Sequence, residues 1–339
     1  MVPQVRPTQA SLAAALGVSR QTVSNVINSP GLVRPATRKR VEDAIKASGY
    51  RPQIAGRALR THRSGAIGMR LHPVVDGVNG EVLDRFFHAV TETAQARGYR
   101  INLFTAGDAE TEVAQLTDMF HQGVIDGALL IDSRLRDPRP AGLAACGLPF
   151  VVFGRPWGDP GAAHSWVDVD GRAGVYRATQ HLVAAGHRVG FIGWPSASAV
   201  GEDRRAGWLA AGGDEADQYL TEDTTRDGLG GAQVLRARGV TAVVCVSDGL
   251  ALGAVQAFAG RAQGGELPVI GFDNTPVARA LGLSSVSQPV EAAAALILRS
   301  LLDAVEQREA PPPSGVLLVP TLELRQWEPI AAYPNGEEQ

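Results

Sequence analysis

Short apolar runs alternate with longer amphipathic stretches from about residue 64 to residue 325. A short apolar run predicts a buried strand, and apolar residues that recur every three or four positions predict a helix with one buried face. Strands are expected at 66–71, 100–106, 126–131, 149–154, 166–170, 189–194, 241–247, 267–273, 315–320 and 321–324. Helices are expected at 81–97, 109–122, 173–185, 203–211, 229–238, 250–262 and 289–306, with a short helix near Ala141. Strands that alternate with helices predict a parallel sheet covered on both faces.

The alternation is interrupted at RPWGDPGAAH, residues 155–164, which is rich in Pro and Gly. We expect this segment to connect two lobes, each a doubly wound parallel sheet, and SSVSQP at 284–289 to cross back. The α/β core is then expected to occupy residues 64–330, with lobe 1 at 64–163 and 289–317 and lobe 2 at 164–288 and 318–330. Residues 331–339 show neither pattern and are expected to form a mobile tail.

The first fifty residues have a different pattern, that of three short helices. Thr8 is a favoured N-cap for a helix with apolar residues at helical spacing, and Gly17 ends that helix. Ser19 caps a second helix, and a third is expected from Pro35, a residue favoured at the first helical position, to Gly49. Two short helices joined by a Gly-containing turn predict a helix-turn-helix, so residues 1–50 are expected to form a small all-α head.

In a helix-turn-helix the second helix enters the major groove of DNA with its N-terminal residues first. Arg20, Gln21 and Asn25 are polar and lie off the apolar stripe of this helix. Arg pairs bidentately with guanine, and Gln or Asn with adenine, so these three side chains are expected to contact bases. Contacts to phosphates position the protein without reading sequence, and the residues expected to make them are Thr8, Ser19, Thr22, Ser24, Asn28 and Arg34.

The distribution of charge favours DNA as the partner of this head. Residues 1–62 contain ten Arg or Lys and two acidic residues, a net charge of +8. The whole chain carries −3, so the remaining residues carry about −11. A basic head on an acidic body is what neutralisation of phosphates requires, whereas a plain three-helix bundle needs no such separation of charge.

Three consecutive pieces of the sequence resemble the LacI/GalR (lac repressor) family of bacterial transcription regulators. They are GVSRQTVSNVIN at 17–28, PATRKRVEDAIKASGYRP at 35–52 and AGRALR at 55–60. The resemblance implies that residues 51–63 are a linker in which Gln53 to Leu59 fold into a hinge helix on operator DNA. Leu59 would then wedge into the minor groove and kink the duplex, and the alternative is an ordinary core leucine.

The resemblance extends into the core at HLVAAGHRVGFIG, residues 181–193, and at VIGFDNTP, residues 269–276. It implies the two-lobed fold of periplasmic sugar-binding proteins, with an effector cleft between the lobes. It places an effector-binding arginine at Arg204, in the pattern RRAGW, and an effector-binding aspartate at Asp273, in GFDN. It also implies a homodimer that binds near-palindromic double-stranded operator DNA.

Polar and aromatic residues follow several predicted strands at the ends where ligands bind in open α/β sheets. Arg155, Trp194, Ser247 and Asp273 each come directly after an apolar run. For Trp194 the alternative is core packing, and for Asp273 it is a turn cap. Relatives often carry Asn at the position of Ser247, so it stays open how a ligand is bound at that position. Two further residues are expected at the cleft, Glu81 and Asp168.

An acid and a cation can bond several sugar hydroxyls, and an aromatic ring can stack on a pyranose face. We therefore expect a sugar or oligosaccharide effector that changes the operator affinity of a transcription regulator, most often a repressor in this family. A purine or a phosphoprotein corepressor stays as the alternative. A sugar-processing enzyme fused to a DNA-binding head is a remote alternative, because the sequence has no phosphate loop, no nucleophile elbow and no convincing acid pair.

The remaining features concern location and metals. The apolar runs are too short to span a membrane, and MVPQVRPTQ lacks the apolar core of a signal peptide, so a cytoplasmic protein without membrane contact is expected. Cys146 and Cys245 are far apart and have no zinc-site spacing, and both are expected to be buried free thiols. No metal or cofactor is expected.

Overall fold

The structure, a computed structural model, describes residues 7–50, 63–71, 80–257, 268–306 and 314–325. It divides between Ser64 and Gly65 into a small N-terminal unit and a large C-terminal unit. The predicted hinge helix from Gln53 to Leu59 and the predicted tail at 331–339 lie outside the described residues, so both stay predictions.

The small unit consists of three helices, α1 (Gln9–Leu16), α2 (Arg20–Asn28) and α3 (Pro35–Ser48), with a 3₁₀ turn at Pro30–Leu32. The hydroxyl of Thr8 caps α1, and Gly17 ends it in the left-handed region at φ 63°. One face of each helix contributes to the core, which contains Leu12, Ala13, Val23, Val26, Val41 and Tyr50. The predicted helix-turn-helix is confirmed. It could be predicted because the capping residues and the apolar spacing act locally.

The first lobe of the large unit is built on a six-stranded sheet. Its strands are β1 (Ala66–Arg70), β2 (Arg100–Phe104), β3 (Gly127–Leu130), β4 (Phe150–Phe153), β5 (Trp166–Val169) and β11 (Gly315–Leu318). The strand order is β11-β5-β4-β3-β1-β2, and all neighbours are parallel. Helices α4 (Gly80–Ala96) and α12 (Val290–Glu306) pack on one face, and α5 (Ala109–His121) and α6 (Arg139–Ala145) pack on the other.

The second lobe is built on another six-stranded sheet. Its strands are β6 (Val189–Gly193), β7 (Gln218–Leu220), β8 (Ala242–Cys245), β9 (Val269–Phe272), β10 (Ser284–Ser287) and β12 (Thr321–Glu323). The order is β12-β10-β9-β8-β6-β7, in which only the β12–β10 pair is antiparallel among the described strands. Its helices are α7 (Gly171–Ala184), α8 (Ala199–Ala210), α9 (Thr225–Ala237), α10 (Asp248–Gln256) and α11 (Pro276–Ala280).

The first crossing between the lobes differs from the prediction. Strand β5 pairs with β4 and β11, so it belongs to the first sheet, and the chain crosses after it rather than at 155–164. The Pro- and Gly-rich segment instead returns the chain to the sheet that it left. Its composition marks an irregular stretch but carries no information on which sheet receives the next strand. The later crossings, after β10 and after β11, agree with the predicted arrangement of the lobes.

Three helices of the second lobe begin earlier than predicted, because a hydroxyl caps each of them. The side chains of Ser198, Thr224 and Ser247 accept hydrogen bonds from backbone N–H groups in the first turns of α8, α9 and α10. These bonds satisfy donors that have no partner inside the helix, and so extend each helix toward its N-terminus. The short elements β7 and α11 were not predicted from the apolar pattern.

Two further predictions about the large unit can be compared with the structure. Cys245 is fully buried as a free thiol, but Cys146 is only partly buried, with its Sγ 3.1 Å from the carbonyl oxygen of Leu143. The expected burial of Cys146 is therefore wrong. Within the described ranges, none of the helices has the length and apolarity that a membrane crossing requires.

Candidate functional site

The N-terminal half of α2 presents the side chains predicted to contact bases. Val23 and Val26 are buried in the head, which leaves Arg20 and Gln21 exposed and Asn25 half-buried. Gln21 Nε2 donates to Asn25 Oδ1 over 2.8 Å, one turn along the helix. This bond aligns two amide side chains on one face, where each keeps donors and acceptors for a base edge.

Three of the residues predicted to contact phosphates, Thr8, Ser19 and Arg34, are the N-caps of the three helices. Thr8 and Ser19 are the exposed N-caps of α1 and α2, where backbone N–H groups and the helix dipole favour an anion. The other predicted phosphate contacts occupy exposed or half-buried positions and are Thr22, Ser24, Asn28 and Arg34. Their roles on DNA stay predictions, as do those of the base-reading residues.

In the large unit, the end of β9 holds a buried aspartate in an unusual backbone conformation. Asp273 has φ 112° and Asn274 has φ 51°, in the region that residues other than Gly rarely adopt. The backbone N–H of Asp273 donates to Val286 O over 2.8 Å, and its Oδ1 accepts from Gln288 Nε2 over 2.6 Å. Backbone strain that surrounding bonds maintain in this way is typical of ligand-binding positions.

Burial also changes the acidity of two carboxyl groups beside this strand end. Burial raises the pKa of Asp273 to about 7, although the positive charge of Arg204 opposes the shift. Burial likewise raises the pKa of Asp248 to about 6, against hydrogen bonds from the Ser285 hydroxyl and the Thr275 backbone N–H. Carboxyl groups with strongly shifted pKa values are common at functional sites.

Arg204 lies in the middle of α8 and is buried between aromatic rings. Its guanidinium carbon is 3.6 Å from the centre of the Phe272 ring and 5.2 Å from that of Trp194. Nη1 donates to the Val246 carbonyl over 2.6 Å, whereas Arg204 Nε and Trp194 Nε1 have no hydrogen-bond partner among the described residues. The predicted residues Arg204, Trp194 and Asp273 are therefore brought together, with two buried donors beside a buried acceptor.

The helix that carries Arg204 is positioned by a glycine contact. A Cβ atom at Gly207 would lie 2.2 Å from the carbonyl oxygen of Arg172, which belongs to α7. Only Gly allows this close approach of α8 to α7. Trp208 follows it and fills the core of the second lobe, with its Nε1 donating to Val189 O. The last two residues of the RRAGW pattern, Gly207 and Trp208, thus fix the helix that holds Arg204 beside Phe272 and Trp194.

Ser247 has a structural role in addition to its predicted place in the cleft. It is fully buried, and its hydroxyl both caps α10 and donates to Asp223 Oδ1. Asp223 follows the short strand β7 and contributes to the electrostatic environment of Arg204 and Asp273. Asp223 was missed in the sequence because β7 was missed, and a polar residue after that strand was its only signal.

A second ion cluster joins the two lobes. Arg155, which follows β4, donates through Nε to Asp168 Oδ2 over 2.7 Å and through Nη2 to Asp203 Oδ2 over 2.8 Å. Asp168 lies on β5 of the first lobe, whereas Asp203 lies on α8 of the second and also accepts from the Arg172 backbone N–H. The two predicted residues Arg155 and Asp168 therefore bond each other, and the unpredicted Asp203 completes a bridge between the lobes.

Asp170, two positions after Asp168, does not join these clusters. Asp170 caps α7 by accepting from the Ala173 backbone N–H, so Asp168 and Asp170 do not form an acid pair for catalysis. The side chain of Glu81 lies outside the described residues, so its place in the cleft stays a prediction. In the part of the chain that the structure describes, no group of three or more His, Cys, Asp or Glu residues could hold a metal ion.

The raised pKa of Asp273 predicts a pH-dependent stability. Since its folded pKa of about 7 exceeds the value of 3.8 expected for a free carboxyl, its stabilising contribution is present at low pH and is lost as pH rises through about 7. Asp273→Asn should remove this slope, which is at most about 1.4 kcal/mol per pH unit for one proton. Urea unfolding at pH 5.5 and pH 8 measures it. If the wild type and Asp273→Asn lose equal stability between pH 5.5 and pH 8, the raised pKa of Asp273 is contradicted.

Two family models match the chain. Residues 11–53 match the model of bacterial regulatory proteins, lacI family, and these residues contain the helix-turn-helix. Residues 179–326 match the model of a periplasmic binding protein-like domain, and these residues contain Arg204 and Asp273.

Comparison with individual proteins extends the likeness over nearly the whole chain. The HTH-type transcriptional regulator CelR of Thermobifida fusca is 35% identical over 332 residues, which cover 92% of this chain and 96% of CelR. A solved transcriptional regulator CelR–cellobiose complex is 31% identical, with a TM-score of 0.69, and covers 95% of this chain and 100% of that chain. The lac repressor dimer bound to operator and the anti-inducer ONPF has a TM-score of 0.79 at 21% identity, covering 95% and 98%, which shows the fold alone.

Proposed function

Since the chain belongs to the lacI family of bacterial regulatory proteins, we propose that this transcriptional regulator is a repressor whose operator affinity is set by a sugar bound between its two lobes. The observation that carries the proposal is the cluster of Arg204, Trp194 and Asp273. Two buried N–H donors there have no partner among the described residues, and they lie beside a strained, buried carboxyl group.

This cluster suits the chemistry of a sugar. Each hydroxyl both donates and accepts, so a sugar can accept from the N–H groups of Arg204 and Trp194 and donate to the Asp273 carboxylate. The indole ring of Trp194 offers an apolar face to a pyranose ring. Cellobiose is the first candidate, because it is the ligand in the CelR complex to which this chain is 31% identical.

The ion bridge between the lobes suggests how a bound sugar changes the head. Arg155 holds Asp168 of the first lobe and Asp203 of the second, so a change in the angle between the lobes must lengthen or break one of these bonds. A sugar that bonds residues on both sides of the cleft favours one lobe orientation by its differential contacts. By linkage, operator DNA then changes sugar affinity by the same factor as the sugar changes operator affinity.

The partners of the regulator are part of the same proposal. Two heads of a homodimer would read two half-sites of a near-palindromic operator. The lac repressor dimer on operator shares the fold of this chain. A regulator of this kind acts where the chromosome lies, which is the cytoplasm, and its sequence relatives are regulators rather than enzymes.

The test measures DNA affinity with and without a sugar. DNA fragments selected by the full chain from a random library serve as operator, and fluorescence anisotropy gives Kd. Cellobiose should weaken binding by about 5- to 150-fold, the usual range of allosteric coupling, while glucose has a smaller effect. Stronger DNA binding with guanine or hypoxanthine would favour a purine corepressor instead. DNA affinity that changes with neither sugars nor purines would contradict control through the cleft.

The base-reading role of Gln21 gives a separate prediction. Gln21→Ala removes one amide from the pair that Gln21 forms with Asn25. Loss of a bidentate base contact should cost about 1–3 kcal/mol and relax the preference at one position of the half-site. Anisotropy against operators substituted at each position measures the preference. A uniform loss across all sequences would identify Gln21 as a phosphate contact.

A further inference from the structure

A pocket of about 490 Å³ lies in the first lobe, and Arg155 is the one residue that it shares with the residues predicted to bind the effector. All of its lining residues fall between Ser133 and His164, so the Arg204–Asp273 cluster of the second lobe takes no part in it. The pocket lies between α6 and the segment 154–165 that joins β4 to β5. Its volume is in the usual range for small-molecule sites.

The chain creates this pocket by crossing from β4 to β5 without a helix. Phe150 and Val152 of β4 form part of the lining, on the sheet face that α6 covers only in part. Ala141 and Ala144 line it from α6, and Ala163 lines it from the connecting segment. Because these three side chains are small, the α6 wall and the connecting segment leave a space that larger side chains would fill.

The wall formed by Trp157 is held in place before any ligand arrives. The backbone carbonyl of Trp157 accepts from the Arg136 backbone N–H over 2.8 Å, and the backbone N–H of Trp157 donates to Arg155 O over 2.9 Å. The Arg155 guanidinium carbon lies 4.4 Å from the centre of the indole ring. Arg155 is itself fixed by Asp168 and Asp203. A preformed pocket of this kind binds a ligand without the cost of ordering its walls.

The polar groups of the pocket indicate the chemistry of the ligand. Trp157 Nε1 and Ser133 Oγ are buried atoms without a hydrogen-bond partner in the described part of the chain. The charges of Asp137 and Arg155 are already paired, with Arg139 and with two aspartates. The other two charged lining residues, Arg136 and Asp159, are exposed to solvent. Burial lowers the pKa of His164, whose ring lies 5.7 Å from that of Phe150, so this imidazole is favoured in its neutral form.

We propose that this pocket is a second ligand site, which binds a small uncharged aromatic compound that carries a carbonyl or hydroxyl group. The flat ring packs between the α6 alanines and the aromatic side chains, and its oxygen accepts from Trp157 Nε1 or bonds the Ser133 hydroxyl. A sugar fits poorly, because most of its hydroxyls would face apolar side chains such as Phe150 and Val152 and lose their hydrogen bonds to water.

The test uses 4-hydroxyacetophenone as the probe and isothermal titration calorimetry of the full chain. Saturable one-site binding is expected for the wild type. Ala141→Phe should fill the pocket and weaken binding at least about tenfold, whereas Ala145→Phe, on the same helix but outside the lining, should bind as the wild type does. No binding to the wild type, or equal binding to Ala141→Phe, would overturn the proposal.

Two further variants separate this pocket from the sugar cleft and from a folding defect. Trp157→Phe keeps an aromatic ring but lacks the N–H, and should weaken probe binding several-fold. Arg204→Met alters only the cleft and should leave probe affinity unchanged. Loss of probe binding in Arg204→Met would place the probe in the cleft, and competition by glucose would assign the pocket to sugars. Either result refutes the second site. Neither of these two outcomes depends on whether cellobiose is the effector.

Discussion

Glu112→Ala is expected to lower the free energy of unfolding of the large unit by about 3–5 kcal/mol, because it removes one partner from a buried ion network. The fully buried carboxylate of Glu112 accepts from Arg70 Nη1 over 3.0 Å and from Arg139 Nη1 over 3.0 Å. Without it, the buried guanidinium of Arg70 loses its carboxylate partner. Urea unfolding followed by Trp fluorescence measures the loss, and all five Trp residues lie at or beyond position 157, so the signal reports on the large unit.

A matched control lies on the same helix. Glu110 is exposed in the first turn of α5, so Glu110→Ala should cost less than about 1 kcal/mol, the scale of a charge near a helix terminus. Glu112→Gln keeps the shape of the side chain and one acceptor, so its loss of unfolding free energy should lie between those of Glu112→Ala and Glu110→Ala. If Glu112→Ala and Glu110→Ala destabilise the protein equally, the network contributes no more than a surface charge does.

This network also connects the ends of two strands of the first sheet. Arg70 is the last residue of β1, and Arg139 opens α6 while donating to the Asp132 carbonyl just after β3. Glu112 thereby ties two strand ends to two helices. A fully bonded polar network in the interior favours one arrangement over others, since any partial arrangement leaves a buried charge unpaired. We infer that it keeps the first lobe rigid while the angle between the lobes changes.

The head could be predicted from the sequence almost element by element. Its helices begin and end at residues whose effect is local, such as the Thr8 and Ser19 caps and the glycines at 17 and 49, which both adopt positive φ. The apolar spacing of α2 also fixes which side chains face outward, so the exposure of Arg20 and Gln21 agrees with expectation. Neither inference needed information from distant parts of the chain.

The sheets and the ion clusters were less predictable, because their partners are far apart in sequence. Strand β5 was assigned to the wrong lobe, since an apolar run shows that a strand is buried but not which strands flank it. Arg155 and Asp203 are separated by 48 positions, and Glu112 and Arg70 by 42. Periodicity cannot pair such residues, and only the fold brings them within hydrogen-bonding distance.

Some of the cleft residues could be predicted from the sequence, because short motifs identify them and the ends of predicted strands place them. Arg204 and Asp273 were identified from short patterns, and the structure brings both to the same cluster. Gln288, which holds Asp273, was missed as a site residue although it lies within the expected return segment SSVSQP. Asp223 and Gln288 were both missed although they follow strands β7 and β10, and ligands bind at the ends of parallel strands. Asp203 was also missed, and it lies within helix α8, where the apolar pattern gives no such signal.

Arg204→Met is expected to weaken cellobiose binding by about 2–5 kcal/mol, or about 30-fold to several thousand-fold in Kd. Methionine keeps an unbranched stem against the Phe272 ring but removes the charge and the N–H donors, including Nε. The Asp273 carboxyl then loses the positive charge that opposes the rise of its pKa, so it holds its proton more tightly and accepts hydrogen bonds less well. Calorimetric titration with cellobiose at pH 7.5 measures the change.

The neighbouring residue supplies the control for this substitution. Arg205 bonds Gln218 and Glu215 on the outer side of α8, so Arg205→Met should bind cellobiose with wild-type affinity. Operator binding without sugar should be retained in Arg204→Met, because the head does not contain this residue, while the response to cellobiose should be lost. If Arg204→Met binds cellobiose within about threefold of the wild type, Arg204 is a structural cation of the second lobe, and the sugar is held elsewhere in the cleft.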